Sequence, residues 1–138
     1  VIDYIKHNAR ALIYSASMPP SNAAAVAAAL QVMKEEPERI ARINYIGEYM
    51  RRGYQSLGFQ IGASETPIIP IFVGDQMKTL IFWRSLFDAG IYANPVLPPA
   101  TPSDQTMLRT SYMATHTDEQ LNRVLDILGK VGKQVGVI

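Results

Sequence analysis

The hydrophobic period of the chain changes at Gly58, and few folds accommodate such a change. Before it, Ile40, Ile43, Gly47, Met50, Tyr54 and Leu57 recur at spacings of three and four, one buried face of a long helix that begins at Pro37. Gly58 supplies its stop. After it, apolar runs are short and separated by turn residues, at 59–61, 68–73, 91–96 and 107–113, and runs of that length predict strands. Two helices interrupt them. One is expected over 76–89, with Asp75 as N-cap and Gly90 as terminator. The other follows Thr117, which with Gln120 forms a capping-box pattern ahead of the stripe Leu121, Val124, Leu125, Leu128 and Val131. Strands interrupted by amphipathic helices predict an α+β layer, a small antiparallel or mixed sheet with helices packed on one face. The uncovered face would then look toward something else, such as another domain.

Upstream, residues 2–9 predict the end of a helix and 12–18 an irregular segment. Pro19 and Pro20 stop one element and start another, and proline suits the first turn of a helix. Residues 23–30 are almost all small and apolar, so this helix is expected to be buried on most sides. Glu35, Glu36 and Glu38 are read as charges that complement the start of the next helix. The chain opens on Val1-Ile2-Asp3-Tyr4-Ile5, already in an amphipathic pattern and without methionine, and is expected to be part of a longer protein.

Arg109 lies in the predicted strand 107–113. With a period of two it shares a face with Met107, Ser111 and Met113, while Leu108, Thr110 and Tyr112 take the other. A fixed charge in so apolar a run is costly unless an anion meets it. Two partners are open: a ligand carboxylate, which matches the planar fork of a guanidinium, or an internal ion pair with Asp104 or a glutamate. The loop Leu97-Pro98-Pro99-Ala100-Thr101-Pro102-Ser103-Asp104 just before it reads as a stiff extended crossover or as a wall of a site.

Composition removes several function classes. Thirteen Lys and Arg against twelve Asp and Glu leave a net charge of +1, with no basic footprint for nucleic acid. The absence of cysteine excludes disulfides, thiol nucleophiles and cysteine-ligated zinc, and is compatible with a cytoplasmic setting. The two histidines, His7 and His116, are too few to form a metal cluster. No apolar stretch approaches the roughly 20 residues of a membrane span. No G-x-S-x-G, G-x-G-x-x-G or Walker motif is present, and no catalytic constellation assembles. His116 is either a turn histidine bonded to backbone or a group beside a ligand held by Arg109. Ser15-Ala16-Ser17, ahead of the Pro-Pro helix start, offers hydroxyls and free N–H groups to an anion such as phosphate.

Three segments occur in register: Ile13-Tyr14-Ser15-Ala16-Ser17-Met18-Pro19-Pro20, Asn94-Pro95-Val96-Leu97-Pro98-Pro99-Ala100-Thr101-Pro102, and Leu108-Arg109-Thr110-Ser111-Tyr112-Met113-Ala114-Thr115-His116-Thr117. Their order and spacing resemble the C-terminal portion of the α-oxoamine synthases, which use pyridoxal 5'-phosphate (PLP) to condense an amino acid with an acyl-coenzyme A, releasing carbon dioxide and coenzyme A. The likeness runs over the whole chain, matching roughly the last third of a family member. It implies the C-terminal domain of a fold-type-I PLP enzyme working as a homodimer, with active sites at the subunit interface. Residues 1–57 would then be a helical segment leading from a large domain, and 58–138 the α+β small domain.

The lysine that holds the cofactor would lie outside this chain. None of Lys6, Lys34, Lys78, Lys130 and Lys133 sits in a matching motif, so no catalytic residue is assigned and the chain alone is expected to be inactive. By the same resemblance, Ser15 and Ala16 would reach the cofactor phosphate of the neighbouring subunit, Ala16 through its N–H alone because it lacks the hydroxyl the family commonly has there. Arg109 would bind the amino-acid carboxylate. The motifs are most similar to the serine palmitoyltransferase-type branch, with serine or glycine as amino acid; glycine C-acetyltransferase and 8-amino-7-oxononanoate synthase types are alternatives. The reading from another class is a non-catalytic subunit or binding module that uses Arg109 and the open sheet face for a protein partner.

Overall fold

A computed structural model describes residues 1–16 and 18–138. In chain order its elements are α1 (Ile2–Asn8), α2 (Arg10–Ile13), α3 (Pro20–Glu35), α4 (Glu38–Leu57), β1 (Ile68–Phe72), α5 (Gln76–Asp88), β2 (Asn94–Val96), β3 (Met107–Ser111) and α6 (Asp118–Val135), with a 3₁₀ turn at Ser103–Gln105. They fall into two compact units, Val1–Pro37 and Glu38–Ile138.

The first unit is helical. Pro20 opens α3 in its first turn, as the sequence predicts, but the expected burial of this helix is not found. None of its residues is buried, and Val26, Leu30 and Met33 are each about half exposed. The physical reason is that an alanine-rich helix carries little area of its own to bury, and among the described residues of the first unit no second layer covers it. Ser17 lies outside the described residues.

The second unit is the predicted α+β layer. Its sheet is antiparallel in the order β1-β3-β2, so β3 is central, and the registers are Pro70↔Arg109 and Asn94↔Arg109. Pro70 and Pro95 sit on the two edge strands, where a missing N–H breaks no inner ladder. One face carries Ile69, Ile71 and Leu108 into a core shared with Ile46, Met50 and Tyr54 of α4, Phe82 and Leu86 of α5, and Leu121, Leu128 and Val131 of α6. All helices of the unit therefore serve one side of the sheet, and the side bearing Arg109 is open.

Three helices end in the same way, and each ending sets the direction of the next segment. Gly58, Gly90 and Gly136 have positive φ, at 96°, 87° and 72°. After each, the following N–H reaches back to the last turn: Phe59 to Tyr54 O (3.0 Å), Ile91 to Leu86 O (2.8 Å) and Val137 to Gly132 O (2.8 Å). This is the Schellman arrangement, which satisfies carbonyls the helix leaves open. It also corrects the strand expected at 59–61. Phe59 is tied into the α4 cap and buried, and only Ile61 makes a single bridge, to Ile71. At the other end of α6 the capping box is complete: Gln120 N donates to Thr117 Oγ1 (3.2 Å) and Thr117 N donates to Gln120 Oε1 (3.0 Å).

Candidate functional site

Burial alternates along β3, with Leu108 and Thr110 buried and Arg109 and Ser111 exposed. The side-chain faces are those predicted, but the environment of Arg109 is not the apolar burial that its neighbours in sequence imply. Its partners across the sheet are Pro70 and Asn94, and its guanidinium stands on the open face. Among the described residues it makes no ion pair or hydrogen bond, with Asp104 or any glutamate.

A cleft of about 530 Å³ adjoins it. β2 begins at Asn94, opposite Arg109, whereas β3 continues to Ser111, so residues 90–93 leave the ladder and a notch opens beside the end of β3. Its lining includes Tyr92, Asn94, Arg109, Ser111, His116 and Arg123. Among the described residues no Asp or Glu lines it, while two arginines do. Such a lining favours an anion. Asn94 was singled out in the sequence only as part of a loop motif, and Arg123 not at all. Strand register and the approach of α6 bring them in, and neither is readable from residue spacing.

His116 lies where β3 gives way to α6. Met113 N donates to its Nδ1 (3.0 Å), and His116 N donates to Met113 O (3.1 Å). It is thus bonded to backbone, the first of the two sequence alternatives, and it also lines the cleft. Arg42 of α4 donates through Nη2 to His116 O (2.9 Å) and to Asp118 Oδ1 (2.6 Å). Beneath the strand end, the phenols of Tyr54 and Tyr112 share a hydrogen bond. Burial raises the pKa of Tyr54 well above its usual 10, reinforced by Tyr112 alongside and opposed by a bond to Thr110. Burial likewise pushes Tyr112 up to about 12, with its bonds to Tyr54 and Thr110 pulling the other way. Both phenols stay neutral at ordinary pH and act as packing and hydrogen-bonding groups.

Ser15 and Ala16 belong to the first unit, Arg109 and His116 to the second. Ser15 closes the turn after α2, donating through Oγ to Leu12 O (2.7 Å), and Ala16 is exposed. Among the described residues the Ala16 N–H meets no acceptor. No group of three or more described His, Cys, Asp or Glu residues could hold a metal ion, and no helix is long and apolar enough to cross a membrane.

The aminotransferase class I and II pattern matches residues 1–128, and the chain belongs to that family. It is 43% identical over 132 residues to serine palmitoyltransferase of Bacteriovorax stolpii, covering 96% of this chain and 31% of that protein. It is 38% identical over 135 residues to putative 8-amino-7-oxononanoate synthase 2 of Mycobacterium tuberculosis, covering 98% of this chain and 18% of that one. A solved structure of serine palmitoyltransferase with PLP internal aldimine superposes with a TM-score of 0.90 at 30% identity, over 99% of this chain and 35% of that chain. The chain spans about a third of the length of the serine palmitoyltransferases it matches. The resemblance to α-oxoamine synthases drawn from the motifs agrees with these matches.

Proposed function

We propose that the chain is the C-terminal part of a PLP-dependent α-oxoamine synthase of the serine palmitoyltransferase type, condensing serine or glycine with an acyl-coenzyme A and releasing carbon dioxide and coenzyme A. The observation that carries this is Arg109, unpaired among the described residues at a cleft without carboxylates, in a chain 38–43% identical to serine palmitoyltransferases over nearly its whole length. In this reading the protein works as a cytoplasmic homodimer. Residues 1–57 lead from its large domain and 58–138 form its small domain, with Ile46, Met50 and Tyr54 of α4 completing the core of that small domain.

The residues at the turn after α2 suit the phosphate of PLP. That group needs hydrogen-bond donors, and the Ala16 N–H is exposed and without an acceptor among the described residues, next to the Ser15 hydroxyl. The hydroxyl now donates to Leu12 O and would rotate away to donate to phosphate. When bound, the cofactor supplies an electron sink for the charge that develops at the α-carbon of the amino acid. Arg109 would hold the carboxylate by two parallel N–H bonds, which fixes the orientation of the α-carbon and neutralises the anion. Its part is orientation and charge neutralisation, not proton transfer.

An arginine that grips the carboxylate equally in the bound amino acid and in the steps before it leaves as carbon dioxide lowers KM more than it raises kcat. In the full-length protein with cofactor, Arg109→Lys is therefore expected to raise the amino-acid KM by at least about tenfold, with a smaller change in kcat, since an ammonium cannot reproduce the fork. An unchanged KM would remove Arg109 from the site. A second reading, an 8-amino-7-oxononanoate synthase, is supported by the 38% identity to the mycobacterial protein. The amino acid that sustains turnover separates the two.

A further inference from the structure

We propose that His116 is a positioning residue for the guanidinium of Arg109, acting through the hydrogen bond that its Nδ1 accepts from the Met113 backbone N–H. This rests on the assignment of Arg109 to the substrate carboxylate. The last residue of β3 paired with β1 is Ser111, opposite Ile68, and the last paired with β2 is Arg109, opposite Asn94. Met113 lies beyond both ladders, so its N–H has no partner in the sheet. His116 supplies the missing acceptor at 3.0 Å and donates its own N–H to Met113 O at 3.1 Å, so that two reciprocal bonds close the turn 113–116.

The turn is anchored from the helix side as well. Arg42 binds the His116 carbonyl at 2.9 Å and Asp118 at 2.6 Å, and Tyr54 holds Tyr112 through the paired phenols. His116 is therefore the joint between the strand that carries Arg109 and the helix that begins at Asp118. Ser111, Tyr112 and Met113 line the same cleft as Arg109, so slack in this segment changes the wall against which the guanidinium must be preorganised. Accepting at Nδ1 assigns the ring proton to Nε2.

Two amide side chains separate a role through Nδ1 from a role through Nε2. Asparagine carries its oxygen near the position of Nδ1, whereas glutamine carries its polar end near that of Nε2. In the full-length protein with cofactor, His116→Ala is expected to raise the amino-acid KM about tenfold while kcat changes less than about twofold. His116→Asn should recover most of the loss and His116→Gln should not. The proposal is overturned if His116→Ala leaves KM unchanged, if kcat falls as far as kcat/KM, or if glutamine recovers the loss and asparagine does not. Should the alanine variant fail to fold, the amide pair decides: asparagine near the parent value with glutamine impaired supports the role, and equal behaviour of the two contradicts it. Arg109→Lys serves as the control. If it leaves KM unchanged, the carboxylate assignment itself fails; if it raises KM while the His116 variants do not, only the positioning role fails.

Discussion

Two phenols, buried Tyr54 and partly buried Tyr112, meet under the end of β3, and their chemistry makes the stability of the fold sensitive to alkali. Tyr54 and Tyr112 have pKa values raised above the usual 10, Tyr112 to about 12, chiefly because burial penalises the phenolate. The unfolded chain thus releases these protons at lower pH than the folded one does. Stability from this source is fully present below pH 10 and is lost as pH rises from 10 through about 12. Melting temperatures recorded across that window should fall steeply for the parent and less steeply for a Tyr54→Phe, Tyr112→Phe double variant; equal slopes would show that the pair does not govern the loss. Arg109 illustrates what residue patterns convey and what they leave out. Period two told which residues share its face, because alternation is a property of the strand itself. Its exposure was not legible, because that depends on which layers cover the sheet, and apolar neighbours in sequence mislead when the face they share is open.

Among the elements, the helices of the second unit were readable from their ends. Asp75, Thr117 and Gln120, and the glycines at 58, 90 and 136, act within one turn of the chain, so local chemistry decides them. The strand expected at 59–61 failed for a reason of the same kind, since the cap after Gly58 claims the Phe59 N–H before the sheet can. β2 is shorter than its apolar run because Ile91 is likewise held by the cap after Gly90. Glycines inside α6 carry a different meaning: a Cβ at Gly132 would stand 2.7 Å from the Phe59 ring, so the residue permits close packing and ends nothing. α3 presents the reverse case, a helix predicted correctly with its burial missing. Its exposed Val26, Leu30 and Met33, with Leu12 and Met18 nearby in sequence, give the 138-residue chain an uncovered apolar surface. Expressed by itself, it should self-associate, which light scattering over a range of concentrations would detect; a monodisperse monomer at high concentration would count against this.

For the whole molecule, the chain brings an arginine unpaired among the described residues, a cleft that no described carboxylate lines and an exposed hydroxyl and N–H, and it brings no lysine in a matching motif. In the proposed reading each is half of a contact whose other half is a small anion or a catalytic group. The matches cover nearly all of this chain and about a third of each serine palmitoyltransferase. The direct measurement is coenzyme A release by the full-length protein, supplied with PLP, palmitoyl-coenzyme A and one amino acid at a time, with the 138-residue chain assayed in parallel. The account predicts release with serine or glycine from the full-length protein and none from the chain alone. Absence of release from the full-length protein with serine, glycine and alanine would contradict it.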